Sequence, residues 1–208
     1  MQATILNLLA PQKGHFLLES GHHGELWLNL EALFLRPRRL QPLIDELAKR
    51  LEPLGVDAIC APLVEGAFAG LMVAGRLDVE FTYSERYTRP AANGLFPAGY
   101  RVPAALRRRL QNKRVAIVND VINAGSAVIG TYSDLRECGA NVVAICALLV
   151  LGSAAAEFAN LMNLALISLA DAPNNLWTVQ ECPLCAAGVL LEDIAGFAAS
   201  FSAKNTVL

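Results

Sequence analysis

The apolar positions of this chain follow two periods that alternate along it. Over Pro42 to Leu54, Leu43, Leu47 and Leu51 recur four apart and lay a stripe on one helix face, and Gly55 supplies a left-handed stop. Val56 to Ala61 is a short unbroken apolar run and reads as a strand. Glu65 to Ala74 reads as a small-residue helix, Val79 to Ser84 as a strand and Val115 to Val118 as another. Ser126 to Cys138 carries Val128, Tyr132 and Leu135 on one helical face before Gly139, and Asn141 to Val150 returns to strand. Continuous apolar strands separated by helices predict an α/β fold, a parallel sheet flanked by helices that binds ligands beyond the carboxyl ends of its strands.

Two stretches interrupt the alternation. Met1 to Leu35 mixes aromatic, apolar and polar residues around Gly14, Gly21 and Gly24, which predicts an irregular N-terminal lobe. Arg86 to Pro103 holds Pro90, Pro97, Pro103, Gly94 and Gly99; it is too broken for either element and predicts a long surface loop or a bent hairpin. With 208 residues, 54% of them hydrophobic, and no internal repeat, residues 1–208 read as one domain.

A formal charge of −2 and a pI near 5.9 give no long-range attraction for nucleic acid or an anionic membrane, so neither is expected as a partner and any anion site must be local. The most hydrophobic stretch, Val142 to Leu151, is about half a membrane span, and no basic leader precedes an apolar core, so the expected location is the cytoplasm. Five cysteines, with Cys60, Cys138 and Cys146 in apolar or helical surroundings, fit reduced, buried thiols.

Candidate chemistry concentrates after the strand Val115 to Val118. Polar Asn119 and Asp120 stand at its carboxyl end, and Asn123-Ala124-Gly125-Ser126-Ala127 leads into a helix. Free backbone N–H groups and the positive end of the helix dipole suit a phosphate there, small side chains let it approach, and Asn123 and Ser126 add donors. Asp120 can accept from sugar hydroxyls, which together describes a ribose 5-phosphate site. Asn, Asp and Ser are also good helix caps, and capping is the competing reading of this segment taken alone.

Other features carry plainer expectations. Cys182-Pro183-Leu184-Cys185 supplies two ligands where structural zinc takes four, so a buried or redox-labile thiol pair is expected. His15, His22 and His23 read as turn or substrate-rim residues, and no residue is assigned to a metal. Arg107-Arg108-Arg109 with Lys113 and Arg114 predicts the solvated face of a short amphipathic helix. Trp27 and Trp177 read as core or interface anchors.

The run Val118-Asn119-Asp120-Val121-Ile122-Asn123-Ala124-Gly125-Ser126-Ala127 resembles the signature of the type I phosphoribosyltransferases, in which an apolar strand, two acids and two apolar residues precede a Thr-rich glycine loop. Gly14 to Gly21, Ala61 to Ala67 and Tyr83 to Arg86 resemble the orotate branch in order, and Glu181 to Leu190 is similar to the carboxyl-terminal segment of one bacterial subgroup. The resemblance implies the type I fold with a small hood formed by the N- and C-terminal segments. It implies transfer of phosphoribosyl from phosphoribosyl diphosphate to orotate, with Mg²⁺ carried on the diphosphate, a homodimer, and a role in pyrimidine nucleotide synthesis. By resemblance Asn119 and Asp120 lie against the ribose hydroxyls, and Asn123, Ala124, Gly125, Ser126 and Ala127 hold the 5′-phosphate. The loop with Glu65 and Gly66 holds the diphosphate, Arg86 reaches a diphosphate in its own or the partner subunit's site, and Arg89 assists in binding. Asp120 and Arg86 are the catalytic candidates.

The chain departs from the family at Asn119, which replaces the first acid of the pair, and at Glu65 in the diphosphate loop. The segment Arg86 to Pro103 has arginines at 86, 89 and 101 and no lysine, and Val150-Leu151-Gly152 stands where the orotate branch has Asp-Arg. Two rivals follow. One is a catalytically degenerate paralogue that binds a ribose-phosphate ligand as a regulatory or scaffold protein; the other is a phosphoribosyltransferase for another base.

Overall fold

The protein is described by a computed structural model that covers residues 2–88 and 98–192. Its N-terminal stretch is ordered, contrary to the irregular lobe expected. Helix α1 (Gln2–Leu9) leads into a hairpin of β1 (Gln12–Leu17) and β2 (His23–Trp27), then a short α2 (Leu30–Leu33) and α3 (Pro37–Leu51). α1 is held by Ile5 and Leu9, both fully buried, a stripe too short to show as periodicity. The hairpin's third strand is β9 (Leu176–Trp177), from the far end of the chain, so this small sheet rests on a tertiary pairing that no local window contains. α3 begins at Pro37, in its first turn, and runs through Pro42, where the leucine stripe alone would place the start.

The main sheet holds β3 (Ala58–Pro62), β4 (Glu80–Thr88), β5 (Ala98–Arg101), β6 (Arg114–Ile122), β7 (Asn141–Leu151) and β8 (Ala165–Ala172), in the order β5-β4-β3-β6-β7-β8. β3, β4, β6, β7 and β8 are parallel, and β5 is an antiparallel edge. Between them run α4 (Glu65–Leu77), a short α5 (Ala104–Arg107), α6 (Ser126–Glu137) and α7 (Ala154–Met162), and α8 (Pro183–Ala186) lies near the end.

Alternate strand residues serve opposite faces, as the pleat requires. Ile59, Ala116, Val118 and Cys146 pack with Leu43, Ile44, Leu47 and Val73 on the α3/α4 side, whereas Cys60, Val115, Ile117 and Ile145 pack with Val128, Leu135 and Ala159 on the α6/α7 side.

Residues 89–97 lie outside the described residues, and on either side of them the segment Arg86 to Pro103 pairs as a hairpin: β4 continues to Thr88, and Arg86 pairs with Tyr100 and Tyr87 with Gly99. A Cβ at Gly99 would collide with the Tyr87 ring, so the glycine permits this close crossing, and the Arg101 guanidinium covers that ring 4.8 Å from its centre.

Of the basic run, Arg107 to Arg109 form a short helical turn as expected, whereas Lys113 lies outside any element and Arg114 begins β6, and the run is not simply solvated. Arg107 donates to both Asp134 oxygens at 2.7 Å, Arg109 and Lys113 pair with Glu80, and Arg114 Nη2 donates to the Leu54 carbonyl at 2.7 Å. All five cysteines are unpaired, with Cys60 and Cys146 fully buried and Cys138 half-buried. Among the described residues no helix is long and apolar enough to cross a membrane.

Candidate active site

The strand order fixes where a ligand can sit. From β3 the chain crosses through α4 to β4 on one side, whereas from β6 it crosses through α6 and α7 to β7 and β8 on the other. The sheet therefore reverses direction between β3 and β6, and the loops beyond those two strands part to leave a crevice. A pocket of about 260 Å³ opens there. Its wall is built from Pro62 to Gly66 after β3, Asn119 to Val128 along β6 and into α6, and Leu18, Glu19, Ser20 and Trp27 from the N-terminal hairpin.

The β6–α6 turn goes against the capping reading. Gly125 is the N-cap of α6, with φ 80° in the left-handed region, and no side chain caps the helix. Asn123 is engaged elsewhere, accepting at Oδ1 from Asn174 Nδ2 at 2.8 Å. The first N–H groups of α6 are thus left by the side chains that could have satisfied them, at the positive end of a helix dipole and on the pocket wall. The left-handed φ explains why a glycine stands there.

β6 extends past the predicted Val118 to Ile122, so Asn119 and Asp120 are strand residues, both buried. Asn119 donates from Nδ2 to the Val121 carbonyl at 2.9 Å. A Cβ on Gly66 would collide with Asn119 Oδ1, so Gly66 is what lets α4 start against this strand. Asp120 is 3% exposed, and its Oδ2 has no hydrogen-bond partner. Burial pushes its carboxyl up to about 7, against the pull of the Asp120 and Val121 backbone N–H groups, with the Glu65 carboxylate adding to the rise. A buried carboxylate oxygen without a donor, on the wall of a crevice, is an acceptor suited to a ligand hydroxyl.

Glu65 is the first residue of α4 and faces the pocket, so a carboxylate already stands at the positive end of that helix. The preceding Leu63–Val64 peptide is cis. Thus Asn119, Asp120, Asn123, Ala124, Gly125, Ser126, Ala127, Glu65 and Gly66 all line one pocket. Arg86 does not line it. It sits on β4, more than half exposed, 3.3 Å from the Glu19 carboxylate, which accepts from the Tyr100 hydroxyl at 2.6 Å. Burial first, then Glu19, raises the Tyr100 phenol well above its ordinary value. Arg89 lies outside the described residues.

Several wall residues had no local signal. Ser20, Tyr100 and Trp27 reach the pocket only because the N-terminal hairpin and the β4–β5 hairpin fold over the sheet. Trp27, read as an anchor, does pack on Phe16 with ring centres 5.9 Å apart, but it also forms pocket wall. His15 and His23, read as turn or rim residues, are instead buried within the small sheet at 1% and 4% exposure and lie off the pocket. The bulge in β1 and the C-terminal segment cover them, which glycine punctuation alone does not reveal.

No protein-family model matches the chain. It is 30% identical over 190 residues to an orotate phosphoribosyltransferase of a Nitratiruptor species, covering 85% of this chain and 88% of that one. It is 29% identical over 206 residues to an orotate phosphoribosyltransferase of Helicobacter acinonychis, covering 92% and 96%. Among solved structures, an orotate phosphoribosyltransferase from Aeropyrum pernix superposes with a TM-score of 0.62 at 22% identity, over 82% of this chain and 93% of that one. The same parallel sheet, the switch-point crevice and a matched length point one way: the chain belongs to the orotate phosphoribosyltransferase family, glycosyltransferases with the type I phosphoribosyltransferase fold.

Proposed function

We propose that this enzyme transfers the phosphoribosyl group of phosphoribosyl diphosphate to a ring nitrogen of orotate, giving orotidine 5′-phosphate and diphosphate for pyrimidine nucleotide synthesis. The observation that carries the reading is one pocket that joins the uncapped N-terminus of α6 to the unpartnered Oδ2 of Asp120. The names of the relatives support orotate as the base.

In this reading the backbone N–H groups from Gly125 to Ala127, with Asn123, Ala124 and Ser126, hold the 5′-phosphate. Asp120 accepts from a ribose hydroxyl, and Asn119 lies beside it. The C1′–O bond to diphosphate breaks as C1′ takes on cationic character, the orotate nitrogen bonds to C1′, and that nitrogen's proton is lost. Ionised Asp120 then places negative charge near the developing cation. Asn119 contributes no charge where the family has an acid, so Asp120 carries that stabilisation alone. The segment with Glu65 and Gly66 faces the diphosphate, and Arg86, paired with Glu19 of the pocket wall, balances charge at the rim.

Asp120, Glu65 and Glu19 are the acids of the pocket wall, and Mg²⁺ usually takes one or two carboxylates together with substrate phosphates and water. They fit an ion that arrives on the diphosphate and keeps its waters, and such an ion would neutralise charge on the leaving group and on Glu65. Val64, at the N-cap of α4, and Phe68 and Leu71 on it are exposed apolar residues spaced along one face, which supports a homodimer.

The test is release of diphosphate from phosphoribosyl diphosphate and Mg²⁺ with orotate, uracil, adenine, guanine and hypoxanthine supplied separately, against a no-base control. Orotate-dependent release is the expected result. Release with a different base reassigns the substrate, and binding without release from any base establishes the degenerate paralogue.

A further inference from the structure

Apart from the pocket, the described residues bring four metal-ligating side chains to one point: His15, His23, Cys182 and Cys185. We propose that this is a structural Zn²⁺ site that fastens the N-terminal hairpin to the C-terminal segment. The four ligand atoms lie within 4.8 Å of one another. His15 Nε2 is 2.8 Å from His23 Nδ1, 3.4 Å from Cys182 Sγ and 3.7 Å from Cys185 Sγ, and Cys185 Sγ is 3.2 Å from His23 Nδ1. A tetrahedral site with two nitrogens and two sulfurs at ordinary zinc bond lengths has edges of about 3.3 to 3.8 Å. The three sulfur–nitrogen separations fall close to that range, and the 2.8 Å between the two histidine nitrogens opens by about half an ångström to close the shell.

Hydrogen bonding does not account for the convergence. His15 Nδ1 lies 2.8 Å from the Val189 carbonyl, which can only accept, so Nδ1 carries the proton and the neutral ring has a single lone pair, on Nε2. Three atoms gather on that lone pair, which can satisfy one donor. A cation satisfies all of them, because each then donates a lone pair to it. The Nδ1–H to carbonyl bond is also the outer-shell contact that orients a metal-bound histidine. Two thiolates would balance the charge of Zn²⁺, so the filled site can be neutral where His15, His23 and Cys182 are buried.

The backbone is shaped for these directions. The pairing of β1 with β2 slips between Lys13 and Phe16, a bulge that re-aims His15. Cys182 and Cys185 bracket a tight turn in which Ala186 N–H donates to the Cys182 carbonyl, and Gly188, with φ 71°, donates to the Cys185 carbonyl. The two histidines and the two cysteines sit at opposite ends of the sequence, so one ion would close a loop of most of the chain. It would hold the hairpin that carries Leu18, Glu19 and Trp27 into the pocket wall. The Cys-x-x-Cys pair, incomplete as read along the sequence, is completed by the fold.

The test uses the full chain purified from zinc-supplemented culture. Elemental analysis should give about one zinc per chain, and X-ray absorption should show two sulfur and two nitrogen neighbours. Cobalt exchanged into the site should give the strong visible bands of tetrahedral Co²⁺ with thiolate charge transfer. Cys185→Ser, at the exposed corner, should abolish stoichiometric metal and that spectrum, and chelation of the unaltered protein should lower its thermal midpoint. The proposal is overturned if the unaltered chain holds no stoichiometric metal while both thiols still react with a thiol reagent in the presence of zinc. A Cys182–Cys185 disulfide in place of metal, or a cobalt spectrum unchanged in Cys185→Ser, overturns it equally.

Discussion

Asp120 sets folding against the proposed function in one side chain. Its carboxyl is buried and raised to about 7, above the ordinary 3.8, so the folded protein binds a proton there that the unfolded chain has already released. Stability from this group is full below the unfolded pKa and is lost as pH rises towards 7, by up to about 4 kcal/mol if the whole shift is expressed. Asp120→Asn should therefore raise the urea midpoint of the ligand-free protein at pH 8 and leave it nearly unchanged at pH 3.5. The same variant should bind phosphoribosyl diphosphate at least about tenfold more weakly, since it replaces a charge-assisted acceptor. With the ionised form required, kcat/KM of the unaltered enzyme should climb with pH and level off above about 7. Gly66 supplies a second test. Gly66→Ala drives a Cβ into Asn119 Oδ1 and should cost about 1–3 kcal/mol in a urea melt while weakening the same ligand.

Between elements, the connections matter more than the strands. Asp134, on α6, receives the Val102 N–H at 2.7 Å and the Arg107 guanidinium, and so ties α6 to the segment that returns from the β4–β5 hairpin. Arg107 is under a third exposed and Asp134 is mostly buried, so Asp134→Ala leaves a half-buried cation and an unpaired N–H. It should cost about 2–3 kcal/mol, read by denaturant unfolding. The helix and strand cores were legible in the sequence because their periods are local: the four-residue spacing of Leu43, Leu47 and Leu51 and the unbroken runs of β3, β6 and β7 each fit inside one window. The N-terminal hairpin was not, because β2 pairs with a strand from residues 176–177 and β1 contains a bulge. Nor was the role of Arg107, since Asp134 lies 27 residues away with no periodic relation to it.

The whole molecule brings together what the sequence holds apart. The pocket-lining segment from Asn119 to Ala127 was legible because it is contiguous. The far wall, with Trp27 and Tyr100, arises only when two hairpins fold over the switch point, and the meeting of His15 and His23 with Cys182 and Cys185 only when the C-terminal segment folds back on the N-terminal hairpin. A homodimer through the exposed face of α4 would bury Phe68, packed edge-on against Phe34 at 5.4 Å, together with Leu71. Light scattering should give a dimer for the unaltered chain and a monomer for Leu71→Glu at the same concentration; a monomer in both would remove this face as an interface.

The proposed chemistry stands on the N-terminus of α6 holding a 5′-phosphate, and backbone amide NMR during titration with ribose 5-phosphate reads that contact at the atoms concerned. The amides of Gly125, Ser126 and Ala127 should shift most, saturably, and the shifts of Ser126 and Ala127 should disappear in Gly125→Pro; saturable binding that leaves all three amides unmoved would put the phosphate elsewhere and refute the site.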